Sequence, residues 1–217
     1  MSTPWTPPAG TRGLIFDCDG TLADTMPIHH RAWVAMLTPH GIPFPAERFY
    51  RLGGMPTAQI IAVLSRETGV PVTDLDGMVH AKESAFLDFL HEVTPIAEVV
   101  AVAEAHRGRL PMAVASGGYR AVVLQTLTKI GVGDWFDAVV CAEDTARHKP
   151  EPDVFLEAAR RLGLPPETCV VFEDTDIGLE AARRAGMHAV DVRGWRFVPA
   201  SGVASARCLP PGMGVTA

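Results

Sequence analysis

Five short apolar segments recur along the chain, and each has the length of a β-strand that is buried on both faces. They are Gly13–Asp17, Pro111–Ser116, Ala138–Ala142, Cys169–Glu173 and Ala189–Val192. Helical periodicity predicts helices between the later strands, over Tyr119–Ile130, Pro152–Leu162 and Ile177–Ala185. A glycine follows each of these helices and acts as a stop signal. Strands that alternate with helices predict an α/β fold with a Rossmann-like, doubly wound parallel sheet.

The interval between the first two predicted strands is too long for a single crossover helix. Its hydrophobic pattern predicts several helices, over Pro27–Thr38, Thr57–Thr68 and about Asp74–His91. An all-helical insertion of this size is expected to form a small domain over the strand ends. We therefore expect a catalytic core at residues 1–25 and 95–217 and an all-helical cap domain at residues 26–94. The segment from Trp195 to Ala217 is rich in Gly, Pro and small residues, so we expect it to be partly irregular.

Composition restricts the class of protein further. Hydrophobic residues make up 47% of the 217 residues and charged residues 20%, which indicates a globular chain. The net charge of −6 argues against nucleic-acid and anionic-membrane partners, because both bind basic surfaces. No apolar run approaches the roughly 20 residues of a membrane span, and residues 1–12 do not resemble a secretory signal. We expect a cytoplasmic monomer whose four cysteines form neither disulfides nor a zinc site.

Residues that could bind a ligand or take part in a reaction follow four of the predicted strands. They are Asp17 and Asp19 after the first, Ser116, Gly117 and Gly118 after the second, Lys149 after the third, and Glu173 with Asp174 at the fourth. Because the carboxyl ends of parallel strands meet at one edge of a sheet, we expect one site. Carboxylates suit Mg²⁺, whereas lysine, serine and glycine N–H groups suit phosphate oxygens. Taken alone, Asp17 and Asp19 could also belong to a turn that favours Asp and Gly.

The same residues resemble the four motifs of the haloacid dehalogenase superfamily of phosphotransferases. The motifs are Asp17-Cys18-Asp19-Gly20-Thr21, Ser116, Lys149-Pro150 and Glu173-Asp174, in that order and on the elements that the superfamily uses. The resemblance implies that Asp17 is the nucleophile and forms an aspartyl-phosphate. It implies that Asp19 first protonates the leaving alcohol and then activates the water that hydrolyses the intermediate.

The resemblance also implies a set of residues that bind Mg²⁺ and phosphate. The ligands of Mg²⁺ would be the carboxylate of Asp17, the backbone carbonyl of Asp19 and the carboxylate of Asp174. Glu173 would be an outer or additional ligand. Together with Mg²⁺, Lys149 would reduce the repulsion between the nucleophile and the phosphate.

Between the first two motifs, the chain resembles the β-phosphoglucomutase-like group of the superfamily. The run Thr25–Trp33 matches the group's approach to a His-x-x-x-Trp pattern, in which His29 and Trp33 share a helix face. Both are candidate substrate-binding residues, although a helix start with a core tryptophan is the alternative. Lys82 lies within an apolar helical stripe, where a cation either reaches water or meets an anion. The stripe consists of Leu75, Met78, Val79, Phe86, Phe89 and Leu90. The group's pattern places a substrate-contacting lysine at the position of Lys82.

Departures from the group's pattern separate a phosphatase from a mutase. In the loop that contains Gly54, Thr57 stands where mutases have an arginine for a second phosphate, and Tyr119 replaces a lysine. The Gly54-Met55-Pro56-Thr57 run is more similar to the fructose-1-phosphate and 6-phosphogluconate phosphatases, so Gly54 and Thr57 are candidate substrate-binding residues.

We therefore expect a Mg²⁺-dependent phosphatase that acts on a small phosphorylated sugar or sugar acid. A β-phosphoglucomutase-type sugar phosphomutase is the alternative, because Arg51 could supply a charge near the loop. A non-catalytic binding protein on the same fold would be expected to lack Asp17 or Asp19, and both residues are present.

Overall fold

Five parallel strands form the centre of the fold in a computed structural model that describes residues 5–195. They are β1 (Gly13–Phe16), β2 (Met112–Ala115), β3 (Ala138–Val140), β4 (Cys169–Glu173) and β5 (His188–Asp191). Their order across the sheet is β3-β2-β1-β4-β5, so the chain builds one half outward from β1 and then returns to build the other. The predicted doubly wound α/β sheet is confirmed. Ligands of such sheets bind where the winding reverses, beyond the carboxyl end of β1.

Eight α-helices connect the strands within the described residues. They are α1 (Met26–Leu37), α2 (Ala46–Arg51), α3 (Thr57–Thr68), α4 (Leu75–Asp88), α5 (Ala97–His106), α6 (Arg120–Lys129), α7 (Asp153–Leu162) and α8 (Asp176–Arg184). The helix predicted to reach His91 ends at Asp88, and Leu90–Glu92 forms a separate 3₁₀ turn. None of the helices in this part of the chain is long and apolar enough to cross a bilayer.

The sequence did not predict α2 or α5. The α5 segment is apolar around most of its circumference, so it lacks the contrast between faces that marks an amphipathic helix. Its buried residues Val99, Val102 and Ala103 nevertheless have the i, i+3, i+4 spacing that could have revealed it. The α2 helix has only six residues, which is too short for a periodic pattern.

Alternate residues of each strand enter two separate hydrophobic clusters. In β1, Leu14 and Phe16 pack with residues of α5 and α6, whereas Ile15 packs with residues of α7 and α8. All three side chains are fully buried. Burial of the sheet on both faces leaves its carboxyl edge as the place where polar side chains can converge.

The residues between β1 and β2 form a third hydrophobic cluster. Its members come from α1 to α4 and the loops between them, with Trp33 among its largest side chains. Ile28 and Ala32 of the same helix, α1, belong to the hydrophobic cluster that contains Leu14 and Phe16 of β1. The α1 helix therefore joins the insertion to the sheet. In the predicted stripe of α4, Met78, Lys82 and Phe86 are buried, but Leu75 is 40% exposed. The predicted irregular tail, apart from Trp195, lies outside the described residues, as does Cys208.

Candidate active site

The chain turns sharply just beyond β1 and places two carboxylates at the edge of the sheet. The N–H groups of Leu22 and Ala23 both donate to the Cys18 carbonyl at 3.0 Å, which closes the turn. Gly20 has a φ of 85°, a left-handed conformation that favours glycine. A Cβ atom at Gly20 would overlap the carboxylate of Asp174. Glycine therefore allows the loop after β1 to approach the loop after β4.

A buried lysine lies between the carboxylates of the two central strands. Lys149 Nζ donates to Asp17 Oδ1 and to Glu173 Oε2, both at 2.7 Å. The side chains of Lys149 and Glu173 are at most 2% exposed, so both ion pairs are shielded from water. The other oxygen of Glu173 accepts hydrogen bonds from the N–H and the hydroxyl of Thr175. Glu173 is thus engaged on both oxygens and fixes the position of Lys149.

The electrostatics of this cluster show an excess of negative charge. Burial raises the pKa of Asp17 well above its usual range, and the charges of Glu173 and Asp174 add to the increase although Lys149 opposes it. Burial lowers the pKa of Lys149, but Asp17 and Glu173 outweigh burial and raise it overall. The cluster therefore keeps Lys149 charged between two buried carboxylates.

Three carboxylates at this edge could together hold a metal ion. Oxygens of Asp17, Glu173 and Asp174 lie within 4.8 Å of one another. Thr21 donates a hydrogen bond to Asp174 Oδ1 at 3.0 Å, which orients that carboxylate. An all-oxygen donor set with excess negative charge suits a hard divalent cation such as Mg²⁺. The carboxylate of Asp19 lies outside this group.

The Asp19 carboxylate belongs instead to a chain of hydrogen bonds that enters the insertion. Asp19 Oδ1 accepts from the Thr25 hydroxyl at 2.7 Å and contacts His29 Nε2 at 3.0 Å. On the other side of the ring, Lys82 Nζ lies 3.0 Å from His29 Nδ1. Because an ammonium can only donate, Nδ1 must be the acceptor. His29 therefore carries its proton on Nε2 and donates it to Asp19.

Shifted pKa values agree with this arrangement of protons. Burial and the charge of Lys82 lower the pKa of His29, so the ring is neutral near pH 7. Burial raises the pKa of Asp19, but His29, Thr25 and Lys82 outweigh burial and lower it to about 2. Burial also lowers the pKa of Lys82, against the opposing charge of Glu83. Asp19 is thus a carboxylate in the free protein.

The loop after β2 supplies a hydroxyl and closely packed glycines. Ser116 Oγ accepts a hydrogen bond from the N–H of Gly118 at 3.0 Å, which leaves the hydroxyl proton to be donated to a ligand. A Cβ atom at Gly117 would lie 2.8 Å from the carbonyl oxygen of Gly54. Absence of that atom lets the insertion approach the sheet edge at this point.

The predicted insertion residues line the same cleft as the carboxylates. The cleft is bordered by Asp17, Asp19, Ser116, Gly117 and Gly118 from the sheet edge, and by His29, Trp33, Gly54, Thr57 and Lys82 from the insertion. Trp33 packs edge-on against Phe44, so it is a core residue as well as a lining residue. Lys149, Glu173 and Asp174 lie beneath the cleft, in contact with Asp17 and with the loop after β1.

Three residues of this site were missed in the sequence. Thr25 holds Asp19, Thr175 holds Glu173, and Glu83 accepts hydrogen bonds from both Thr57 and Lys82. Thr175 carries a detectable signal, because a threonine just before a helix is a typical N-cap. Glu83 carries none, since a glutamate on a helix is usually solvated.

Known proteins resemble this chain over most of its length. A family model described as haloacid dehalogenase-like hydrolase matches residues 11–186. The fructose-1-phosphate phosphatase YqaB of Escherichia coli (strain K12) is 43% identical over 83% of this chain and 96% of that protein. The 6-phosphogluconate phosphatase of the same organism is 31% identical over 80% of this chain and 79% of that protein. The crystal structure of CbbY from Rhodobacter sphaeroides in complex with phosphate superposes with a TM-score of 0.75 at 27% identity, covering 82% of this chain and 84% of that one.

Proposed function

The chain belongs to the haloacid dehalogenase-like hydrolases and is a phosphatase, and we propose that it hydrolyses a small phosphorylated sugar or sugar acid with Mg²⁺. The observation that carries this proposal is the placement of Asp17. Its carboxylate lines the cleft, is paired with buried Lys149 and lies within metal-binding distance of Asp174. A buried carboxylate with these neighbours suits attack on phosphorus.

In the proposed first step, a carboxylate oxygen of Asp17 forms a bond to phosphorus while the bond to the sugar oxygen breaks. Lys149 reduces the repulsion between the two anions and keeps Asp17 in position. The hydroxyl of Ser116 and the N–H of Gly117 bind phosphate oxygens, while the N–H of Gly118 orients the hydroxyl. When bound to Asp17, Asp174 and the Asp19 carbonyl, Mg²⁺ would supply positive charge that stabilises the transferring phosphoryl group.

Asp19 is the proposed acid and base. The negative charge of an arriving phosphate raises the pKa of a neighbouring carboxyl, so substrate binding favours the protonated form of Asp19. Asp19 then gives its proton to the departing sugar oxygen and takes one from the water that attacks the aspartyl-phosphate. His29 and Thr25 hold the carboxylate for both transfers.

We propose further that residues 26–94 act as a cap that covers the cleft and contacts the sugar. The insertion has its own hydrophobic cluster and meets the sheet edge at Gly54 and Gly117. The alternative mutase activity needs cations for a second phosphate, and Thr57 and Tyr119 are uncharged where those cations are expected. A cytoplasmic, monomeric state is part of the same proposal.

A screen of phosphorylated metabolites tests the function. We expect phosphate release from fructose 1-phosphate or 6-phosphogluconate when Mg²⁺ is present. When EDTA removes the metal, the rate of phosphate release should fall by about tenfold or more. Activity should return when Mg²⁺ is restored. β-Glucose 1-phosphate serves as the mutase control. Formation of glucose 6-phosphate ahead of free phosphate, with a bisphosphate primer required, would instead identify a mutase.

Replacing His29 tests its role in positioning Asp19. In the His29→Ala variant, kcat on a sugar phosphate is expected to be about 100-fold lower, because the sugar oxygen is a poor leaving group that needs a proton from Asp19. The loss on p-nitrophenyl phosphate should be clearly smaller, since nitrophenolate departs without protonation. His29→Gln, which can still donate to Asp19, should recover part of the activity. Equal losses on both substrates in a folded variant would mean that His29 has only a structural role.

A further inference from the structure

Glu83 lines the cleft but has no role in the proposed phosphoryl transfer. It follows Lys82 on α4, and its side chain is 14% exposed. A carboxylate so close to full burial is costly unless its oxygens are used. Its position in the cleft makes Glu83 a candidate for contact with a ligand.

Two elements of the insertion hold the Glu83 carboxylate in place. The hydroxyl of Thr57, at the start of α3, donates to Oε1 at 2.6 Å. Lys82 Nζ lies 3.2 Å from each of the two oxygens. A carboxylate offers about four acceptor sites, and these three contacts leave one on Oε2. Glu83 can thus accept a hydrogen bond from a ligand without changing its position.

The charge of Lys82 is compensated by Glu83. Its ammonium lies 3.0 Å from His29 Nδ1 and 3.2 Å from both oxygens of Glu83, so it forms an ion pair with that carboxylate. Among the described residues that line the cleft, Lys82 is the only Lys or Arg. A second anionic group in the cleft would therefore meet a carboxylate and a lysine whose charge that carboxylate already compensates.

Other acids surround the same part of the protein. Burial raises the pKa of Tyr119, and the charges of Glu83, Glu143 and Asp76 raise it further. These three carboxylates therefore act together at Tyr119. Their combined charge adds to the local repulsion that a second phosphate or a carboxylate would meet.

We propose that Glu83 is a specificity-determining residue that accepts hydrogen bonds from sugar hydroxyls and excludes a second anionic group. The preferred substrates are then phosphomonoesters of uncharged polyols. Sugar bisphosphates and sugar-acid phosphates are poorer substrates, because each carries a second anionic group. This inference rests on the proposed sugar-phosphatase function and narrows it. Thr57 and Lys82 act through Glu83, because both use their donors to orient its carboxylate.

Two matched substrate pairs test the proposal on the full-length protein with Mg²⁺. Glucitol 6-phosphate and 6-phosphogluconate differ only at C1, which is a hydroxymethyl group in one and a carboxylate in the other. Fructose 1-phosphate and fructose 1,6-bisphosphate differ by a second phosphate, and release from C1 is followed by the fructose 6-phosphate formed. We expect the wild-type kcat/KM to favour the neutral member of each pair by about tenfold or more.

The Glu83→Gln variant should reduce that preference by about tenfold, because it removes the negative charge that repels an anion and that compensates the charge of Lys82. Since the ratio compares two substrates of one variant, a change in acid–base catalysis through His29 cancels. Asp88→Asn is the matched control: it removes a charge from the exposed last residue of the same helix, does not line the cleft, and should leave the ratio unchanged. Melting temperatures establish that each variant is folded.

The outcomes separate this inference from the proposed function. Equal kcat/KM within both wild-type pairs would overturn the role of Glu83 while leaving the phosphatase function intact. An unchanged ratio in folded Glu83→Gln, or an equal shift in Asp88→Asn, would also overturn it. Hydrolysis of p-nitrophenyl phosphate but of no sugar phosphate would overturn the proposed substrate class and this inference with it.

Discussion

Replacing Asp17 with asparagine is expected to abolish turnover, with kcat falling by about 10³-fold or more on every phosphomonoester. The reason is that the amide cannot form the proposed aspartyl-phosphate, so the proposed covalent route is lost. The loss should be as large on p-nitrophenyl phosphate, whose leaving group needs no proton, as on a sugar phosphate. In this respect Asp17→Asn should differ from His29→Ala, for which the loss on p-nitrophenyl phosphate is expected to be smaller. Phosphate release from p-nitrophenyl phosphate and from the best sugar phosphate measures the effect.

The Asp17→Asn variant is expected to remain folded, which separates loss of chemistry from loss of structure. Asparagine has nearly the same size as aspartate, and its carbonyl can still accept a hydrogen bond from Lys149. The substitution also removes one of the crowded carboxylates that raise each other's energy. Urea unfolding of both proteins provides the control. Near-normal phosphatase activity of the folded variant would refute the proposed mechanism.

Replacing Lys149 with methionine is expected to damage both stability and activity. The substitution leaves Asp17 and Glu173 buried without their counter-ion, and breaking a buried ion pair on one side costs about 3–5 kcal/mol. The pKa of Lys149 is raised, so its stabilising contribution is complete below about pH 10.5 and is lost only as pH rises through the folded pKa. Loss of Lys149 raises the pKa of Asp17 further, so protonation of Asp17 relieves part of the cost at lower pH, and the difference in unfolding free energy should be greater at pH 9 than at pH 6. Urea titrations in EDTA measure it.

A second substitution separates the two effects of Lys149. Lys149→Met combined with Glu173→Gln should recover part of the stability, because one uncompensated charge is removed, but should not recover activity. Lys129→Met, at the exposed end of α6, is the matched control and should change neither property. If Lys149→Met unfolds at the same urea concentration as the wild type, the buried ion pairs do not stabilise the fold.

Most of the fold follows from local patterns in the sequence. The β-strands are short apolar runs, and α3, α7 and α8 end near glycines, so their positions are predicted to within a few residues. The exceptions are α2 and α5. One is too short for a period, and the other is apolar on most sides, so hydrophobic contrast identifies neither.

The core of the site is also predictable, because each of its groups follows a strand. Parallel strands align their carboxyl ends, so order in the sequence predicts that Asp17, Lys149 and Glu173 meet. The order of the strands does not predict which of these side chains form ion pairs with each other. Both Asp17 and Glu173 contact Lys149 at 2.7 Å, and both oxygens of Glu173 are engaged. The sequence alone does not distinguish a residue that holds the lysine from a metal ligand.

The apolar periods and the four strand-end motifs thus determine, by themselves, the sheet, its reactive edge and the class of reaction. Local backbone preferences and the alignment of parallel strands are sufficient for these features. Tertiary structure decided how the insertion meets that edge. It brought Lys82 to His29 and Glu83 to Thr57, pairs separated by 53 and 26 positions in the chain. Packing between helices made those contacts, and no local pattern records which side chains such packing brings together.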